Sequence, residues 1–270
     1  MSKKSKQSKH KKKVTTSSSQ ADTLFDLVGQ QILRGYYAEA AANCERLLNY
    51  LPRHAPLRVN VLAQLGVARG MLQDFPQSYE AFTEALALNP NDADLWHNHS
   101  EASRFTLRLG RALRDIERAI ELNTRADMAE KYDKALKFSR EMAEKSMQLR
   151  GPNFTVDQLI EQEDLFQLGL KLMETGNWEQ AGQTFEASIA MGDCLPQPWG
   201  NLGISLMMQE RYDEAEAALK RALAIDPDYT IAKNNLASLP EIRRGGPPII
   251  EMTQPFKGSK MRQSIAFLRD

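Results

Sequence analysis

QEDLFQLGLKLMETGNWEQAGQTFEASIAMGDCL (Gln162–Leu195) is followed without a gap by PQPWGNLGISLMMQERYDEAEAALKRALAIDPDY (Pro196–Tyr229). Laid over one another, the two strings pair Leu165 with Trp199, Leu168 with Leu202, Gly169 with Gly203, Ala181 with Ala215 and Phe185 with Leu219, each 34 residues apart. Five pairs of compatible size at one offset mark an internal repeat, and a repeat period in this range means stacked supersecondary units rather than one closed core. The same offset links Leu62 to Trp96, Ser78 to Ala112, Phe82 to Ile116 and Ala85 to Ala119.

Apolar spacing inside each unit has a helical period. A turn signal divides the unit into a first helix (A) and a second (B), as in Gly35-Tyr36-Tyr37 and Gly176-Asn177-Trp178. The two helices pack closely only where a side chain is small, which accounts for Gly66, Gly203, Ala181 and Ala215. Phe82 and Phe185 are expected to fill the gap to the next hairpin. Pro52, Pro90 and Pro227 close their units because proline cannot continue a helix.

This pattern resembles the tetratricopeptide-repeat family. Val59–Asp92 carries Leu62, Leu65-Gly66, Phe75, Ser78, Phe82, Ala85 and Pro90; Pro196–Tyr229 carries Trp199, Leu202-Gly203, Tyr212, Ala215, Leu219, Ala222 and Pro227. Gln162–Leu195 keeps most of it; Ala21–His54 has Val28 for the usual glycine, and Ala93–Ala126 has Ser100 for glycine and Thr124 for proline. The resemblance implies an all-α, right-handed superhelical solenoid of about five repeats with a degenerate central segment and a capping helix. One hairpin cannot bury its apolar stripe alone, so stacking is what folds it.

The expected organisation is a Lys/Ser-rich disordered tail over 1–20, a three-repeat array over 21–126, a degenerate repeat or long-helix spacer over 127–161, two repeats and a cap over 162–240, and an irregular tail over 241–270. Gly151-Pro152-Asn153 falls where a B helix should run, so Asp127–Leu149 reads as one helix with Met128, Tyr132, Ala135, Phe138 and Met142 as its apolar stripe. Thr155-Val156-Asp157-Gln158 is a capping box opening the next helix. Ala55–Arg58 inserts four residues, read as a longer loop, and the last helix is expected to stop at Pro240.

In this family the concave groove is lined by helix A, and its sixth position here is Gln64, Asn98, Gln167, Asn201 and Asn235 in turn. A side-chain amide both donates and accepts, so a row of them suits the backbone of an extended peptide. With His97, Glu101, Met207 and Asn234 these form the candidate partner-binding groove, and the expected partner is a protein or peptide segment. A lysine and asparagine clamp for an acidic C-terminal carboxylate, known in one subclass, is not implied. Its first-repeat positions hold Phe25 and Gly29, its later ones Asp94 and Asn98 or Ile231 and Asn235.

Formal charge is zero overall, yet Lys3, Lys4, Lys6, Lys9, Lys11, Lys12 and Lys13 come with no acid among them. Taking those seven from the 35 basic residues leaves 28 against 35 acidic ones, an acidic body of about −7 with a basic tail. The tail supports a second reading, a nucleic-acid- or ribosome-associated factor held by a weak, salt-sensitive grip through Lys3–Lys13. It has no interleaved aromatics to stack on bases.

Cys44 and Cys194 read as free thiols, and no apolar run reaches the length of a membrane span, so a cytoplasmic protein is expected. His97-x-His99 puts two rings on opposite helix faces and cannot share a metal; His99 occupies an apolar register position and reads as a hydrogen-bonded core histidine. Acids such as Glu161 and Glu163 are expected on solvated faces. No phosphate-binding, dinucleotide or nucleophile motif is present, so neither catalysis nor a cofactor or metal is expected.

Overall fold

The computed structural model describes residues 20–246. The Lys3–Lys13 run and the final segment from 247 on, both subjects of the reading above, lie outside the described residues. Among those described, every regular element is an α-helix. They are α1 (20–33), α2 (Tyr37–Tyr50), α3 (Leu57–Met71), α4 (Phe75–Leu88), α5 (Ala93–Phe105), α6 (Leu109–Leu122), α7 (Ala126–Gln148), α8 (Val156–Glu174), α9 (Trp178–Met191), α10 (Pro196–Met207), α11 (Tyr212–Ile225) and α12 (Thr230–Ile242).

The A-to-B turns repeat one geometry. Gly35, Gln73, Leu107, Gly176 and Glu210 all have φ between 59° and 80°. After four of them the chain closes with a Schellman pattern, in which Tyr36, Asp74, Asn177 and Arg211 donate their N–H to Gln31, Arg69, Leu172 and Leu206 five residues back. The left-handed residue is what turns the chain about in so few residues, and glycine takes it at two of the five sites.

Behind each turn the small-residue rule becomes a contact. A Cβ added at Gly66 would lie 2.7 Å from the Phe82 ring, at Gly169 2.5 Å from Phe185, and at Gly203 2.7 Å from Leu219. Phe82 and Phe185 therefore fill the inside of their own hairpins before they reach the next. Ser78 reinforces the first pairing by donating its hydroxyl to the Gly66 carbonyl at 2.8 Å. The tryptophan at the fourth position also has a repeated role: Trp96 Nε1 donates to Pro90 O at 2.8 Å and Trp199 Nε1 to Asp193 Oδ1 at 2.5 Å, each pinning the chain six residues back.

Two compact units divide the chain. The first holds the described residues up to Thr106 together with Asp115–Asp133. Its interior has a cluster of Val28, Ala40, Cys44, Leu47 and Val61 over α1–α3, and a second of Leu62, Phe82, Ala85, Leu95 and Ala102 over α3–α5. The second holds Leu107–Arg114 and the described residues from Lys134 on. Phe185, Leu202, Ile204, Leu219, Ala232 and Leu239 build its larger core over α8–α12, while Leu113, Ala143 and Leu159 build a smaller one.

α7 is one uninterrupted helix of 23 residues, and Gly151 follows it with φ 129°. The capping box at Thr155 is made in both directions, Gln158 N to Thr155 Oγ1 at 3.2 Å and Thr155 N to Gln158 Oε1 at 2.9 Å. Two local expectations need correction. Leu57 and Arg58 do not lengthen a loop but begin α3, where Arg58 donates to the carbonyl of Leu48 at 3.0 Å and caps the end of α2. α12 runs through Pro240 to Ile242, since a proline in the last turn forfeits one hydrogen bond and leaves the rest of the ladder intact.

Candidate functional site

In the first unit the helix A faces of α3 and α5 are neighbours, and in the second α10 lies against both α8 and α12. The recurrent amides fall on these helices, but they are not equally accessible. Gln64, Asn98 and Gln167 are half-buried and Asn234 is exposed. Asn201 and Asn235 are 0% and 1% exposed, and Met207 is 3% exposed within the main core of its unit. α10 is enclosed by helices on several sides, so every residue from Gly200 to Met207 is buried. Asn235 donates its Nδ2 to Ile231 O at 2.9 Å, one turn back on its own helix. Asn201, Met207 and Asn235 thus have almost no area for a partner, whereas Gln64, Asn98, Gln167 and Asn234 have some.

Around Asn98 the chain supplies its own contacts. His97 is 5% exposed and stacks on Tyr132 of α7 with ring centroids 5.1 Å apart and planes 18° from parallel. Tyr132 donates its hydroxyl to Asp94 Oδ1 at 2.7 Å, and Arg125 reaches the same oxygen at 3.0 Å. Burial, then the charge of Lys131, holds the His97 imidazole below its ordinary value; burial and then the Asp94 hydrogen bond raise the Tyr132 phenol. Glu101 is ion-paired with Arg104, whose guanidinium lies 4.6 Å from the centroid of the Phe105 ring. This corner of α5 is a packed junction with Asn98 at its edge.

His99 is a core histidine, 4% exposed. Its Nδ1 lies 2.7 Å from Asp115 Oδ2, and because a carboxylate only accepts, Nδ1 carries the proton and donates. Ser103 donates to the same oxygen at 3.0 Å, and Nε2 contacts Thr83 Oγ1 at 3.0 Å. Aspartate, imidazole and hydroxyl stand in line, yet Thr83 Oγ1 also donates to Tyr79 O at 2.9 Å within α4. The backbone N–H groups of these helix interiors are taken by the helices themselves. Asp115 does have a sequence signal: it stands among Ala112, Ile116 and Ala119 on an apolar helix face.

Glu163 is the residue that sequence reasoning misplaced. It is 8% exposed, not solvated. Its carboxylate accepts from the backbone N–H of Leu109 at 2.8 Å and of Gly110 at 3.0 Å, the first two donors of α6. Asp164 beside it takes Arg108 at 3.0 Å and Arg111 at 2.8 Å, and Asp157 takes Arg114 at 2.8 Å. An open cleft of about 610 Å³ runs along this seam, lined by Arg111, Arg114, Asp157 and Asp164 with Ile160, Glu161, Leu165 and Leu168. A bond spanning more than fifty residues leaves no local pattern, which is why a periodic reading missed it.

No group of three or more His, Cys, Asp or Glu side chains poised for a metal occurs among the described residues, and no helix among them is long and apolar enough to cross a membrane.

Comparison with known proteins agrees with the repeat register. The tetratricopeptide-repeat family model matches residues 196–229. A peroxisomal targeting signal receptor of Yarrowia lipolytica is 34% identical over 82 residues, 30% of this chain and 14% of that one. The protein O-mannosyl-transferase TMTC1 of Mus musculus is 32% identical over 115 residues, 43% of this chain and 11% of that one. The chain thus spans under a fifth of the length of these two relatives. Among solved structures, the TPR2AB-domain:pHSP90 complex of yeast Sti1 is 14% identical with TM-score 0.39, covering 84% of this chain and 86% of that one. YrrB, described as a TPR protein with an unusual peptide-binding site, is 17% identical with TM-score 0.36, covering 83% and 95%. The five-fold recurrence of one turn geometry, glycine against ring or leucine inside the hairpins, and the family match at the best-preserved repeat together show that this chain carries tetratricopeptide repeats.

Proposed function

We propose that the chain is a non-enzymatic, cytoplasmic adaptor that holds a segment of a partner protein against the helix A faces of its repeats. The observation that supports this is the set of amides at the sixth helix A position that keep exposed area, Gln64, Asn98 and Gln167, with Asn234 beside the same position on α12. A side-chain amide both donates and accepts, so amides at repeated, partly exposed positions suit the backbone of an extended segment. Asn201 and Asn235 act in this reading as interior positions that set the spacing of the A helices, and Met207 as core. Peptide capture by extended main-chain hydrogen bonding is a recurring mode of recognition.

The test is quantitative co-purification with the full chain and with Gln64→Ala, Asn98→Ala and Gln167→Ala combined. A specific set of proteins retained by the unaltered chain and lost by the triple variant, at unchanged thermal midpoint, supports the reading. Equal retention removes these faces from it. A second reading rests on the seven-lysine run at Lys3–Lys13. It makes the protein a nucleic-acid- or ribosome-associated factor and expects retention on RNA that falls steeply with salt and disappears with residues 1–13.

A further inference from the structure

Four large apolar side chains of the first unit stand in water at its A-to-B turns. Leu33 ends α1 and Tyr36 lies in the turn after it; Met71 ends α3 and Leu72 follows it. All four are between 43% and 87% exposed. Successive helices alternate in direction and α2 packs against α3, so the two turns emerge side by side on one edge. Leu33 and Met71 hold the same place, two residues ahead of the left-handed Gly35 and Gln73. At the corresponding turns of the second unit the exposed side chains are Glu174, Thr175, Asn177, Glu210 and Arg211. Both units share the turn geometry, so the turn itself does not call for apolar residues, and leaving them in water is unfavourable.

Shape and charge say what covers them. These side chains project from turn tips, which suits a flat, yielding apolar layer better than a helix that needs a groove. Arg34 is exposed between Leu33 and Gly35, and at the second turn Asp74 is answered by Arg69 at 3.1 Å. Glu39, in the first turn of α2, is an opposing acid, and the seven lysines of Lys3–Lys13 outnumber it. Lys13 comes seven residues before residue 20, where α1 starts. From there to the first turn α1 is about 21 Å long, and seven residues of extended chain span about 23 Å. The lysine nearest to α1 can therefore reach this edge, and the earlier ones have more chain to do so. A nucleic acid offers phosphates to lysine but no hydrocarbon to Leu33, Met71 and Leu72. An anionic bilayer surface offers both.

We propose that the edge formed by the α1–α2 and α3–α4 turns is a peripheral docking surface for an anionic lipid bilayer. Leu33, Tyr36, Met71 and Leu72 enter the boundary between headgroups and acyl chains, and Lys3–Lys13 is held by the anionic headgroups. Stable attachment to a bilayer takes two signals, because one small apolar contact or one lysine run alone is weak and reversible. Tyrosine, with an apolar ring and a polar tip, belongs at the depth of the headgroups.

The experiment is co-sedimentation of the full chain with vesicles of phosphatidylcholine containing about 30% phosphatidylserine, and with vesicles of phosphatidylcholine alone. Partitioning should be at least about tenfold stronger on the anionic vesicles at about 0.1 M salt and should fall steeply by about 0.5 M. Leu33→Ser with Met71→Ser should weaken it by about tenfold or more at an unchanged thermal midpoint, since both positions are exposed. The same pair should leave retention on RNA unaltered, whereas deletion of residues 1–13 should lower both. Absence of binding to the anionic vesicles, with or without binding to RNA, overturns the proposal. So does equal partitioning onto the two kinds of vesicle, or a double serine variant that partitions as the unaltered chain does.

Discussion

Replacing His99 with leucine tests how the first unit tolerates charge in its interior. Asp115 is 2% exposed, and its carboxylate has two donors, His99 Nδ1 at 2.7 Å and Ser103 Oγ at 3.0 Å. Leucine nearly fills the imidazole's space and removes the stronger donor, leaving a buried carboxylate on one hydroxyl. Taking the main hydrogen-bond donor from a buried carboxylate costs about 3–5 kcal/mol, because the remaining charge is left short of partners. A cost near 4 kcal/mol is a large fraction of the roughly 5–15 kcal/mol that holds a domain folded. Changing both partners, His99→Leu with Asp115→Leu, removes the orphan charge along with the pair, and such swaps are often neutral or stabilising. The double variant should therefore be more stable than the His99→Leu single variant by about 2 kcal/mol or more. Urea unfolding followed by far-ultraviolet circular dichroism reads both. A single variant that costs under about 1 kcal/mol, or a double variant no better than the single, would show that the pair does not hold the α5–α6 packing.

Leu107→Gly should stabilise the protein by about 0.5–1 kcal/mol, because Leu107 sits at φ 59° and is half exposed, with little packing to lose; urea midpoints check it. Gly66→Ala should cost about 1–3 kcal/mol, since the new Cβ would lie 2.7 Å from the Phe82 ring, and adding Phe82→Leu should cost less than the sum of the two single changes. With Glu163 raised to about 7 in the folded chain against an ordinary 4.5, stability should fall as pH rises from 5 to 8 by up to about 3 kcal/mol, the folded state being the one that binds the extra proton; Glu163→Gln flattens that slope. Cys44 is fully buried and burial, with the charge of Glu45, pushes its thiol up to about 12, so iodoacetamide at pH 8 should leave Cys44 unmodified in the native chain and modify it in urea.

Repeat spacing, the position of each turn and the small residues inside each hairpin were legible in the sequence because they are local. Gly35 and Gly176 announce their turns by composition. Gln73, Leu107 and Glu210 have the same backbone without the residue that favours it, and only the register identifies them. The long α7 was legible for the opposite reason: nothing between 127 and 148 breaks a helix. The groove was legible only in outline. Recurrence marked Gln64, Asn98, Gln167, Asn201 and Asn235 as one class, and their accessibilities then separated, because exposure depends on which helix covers which.

Covalent period and side-chain size were enough to determine helical hairpins, their order and their tight internal faces, since each is settled within about 34 residues. Tertiary structure alone decided that Glu163 caps α6, that His99 answers Asp115 and that Tyr132 covers His97. The reason is that a charge or ring acquires its role from the groups brought against it, and along the chain those groups lie 16 to 54 residues away or on a helix whose facing side no periodicity specifies.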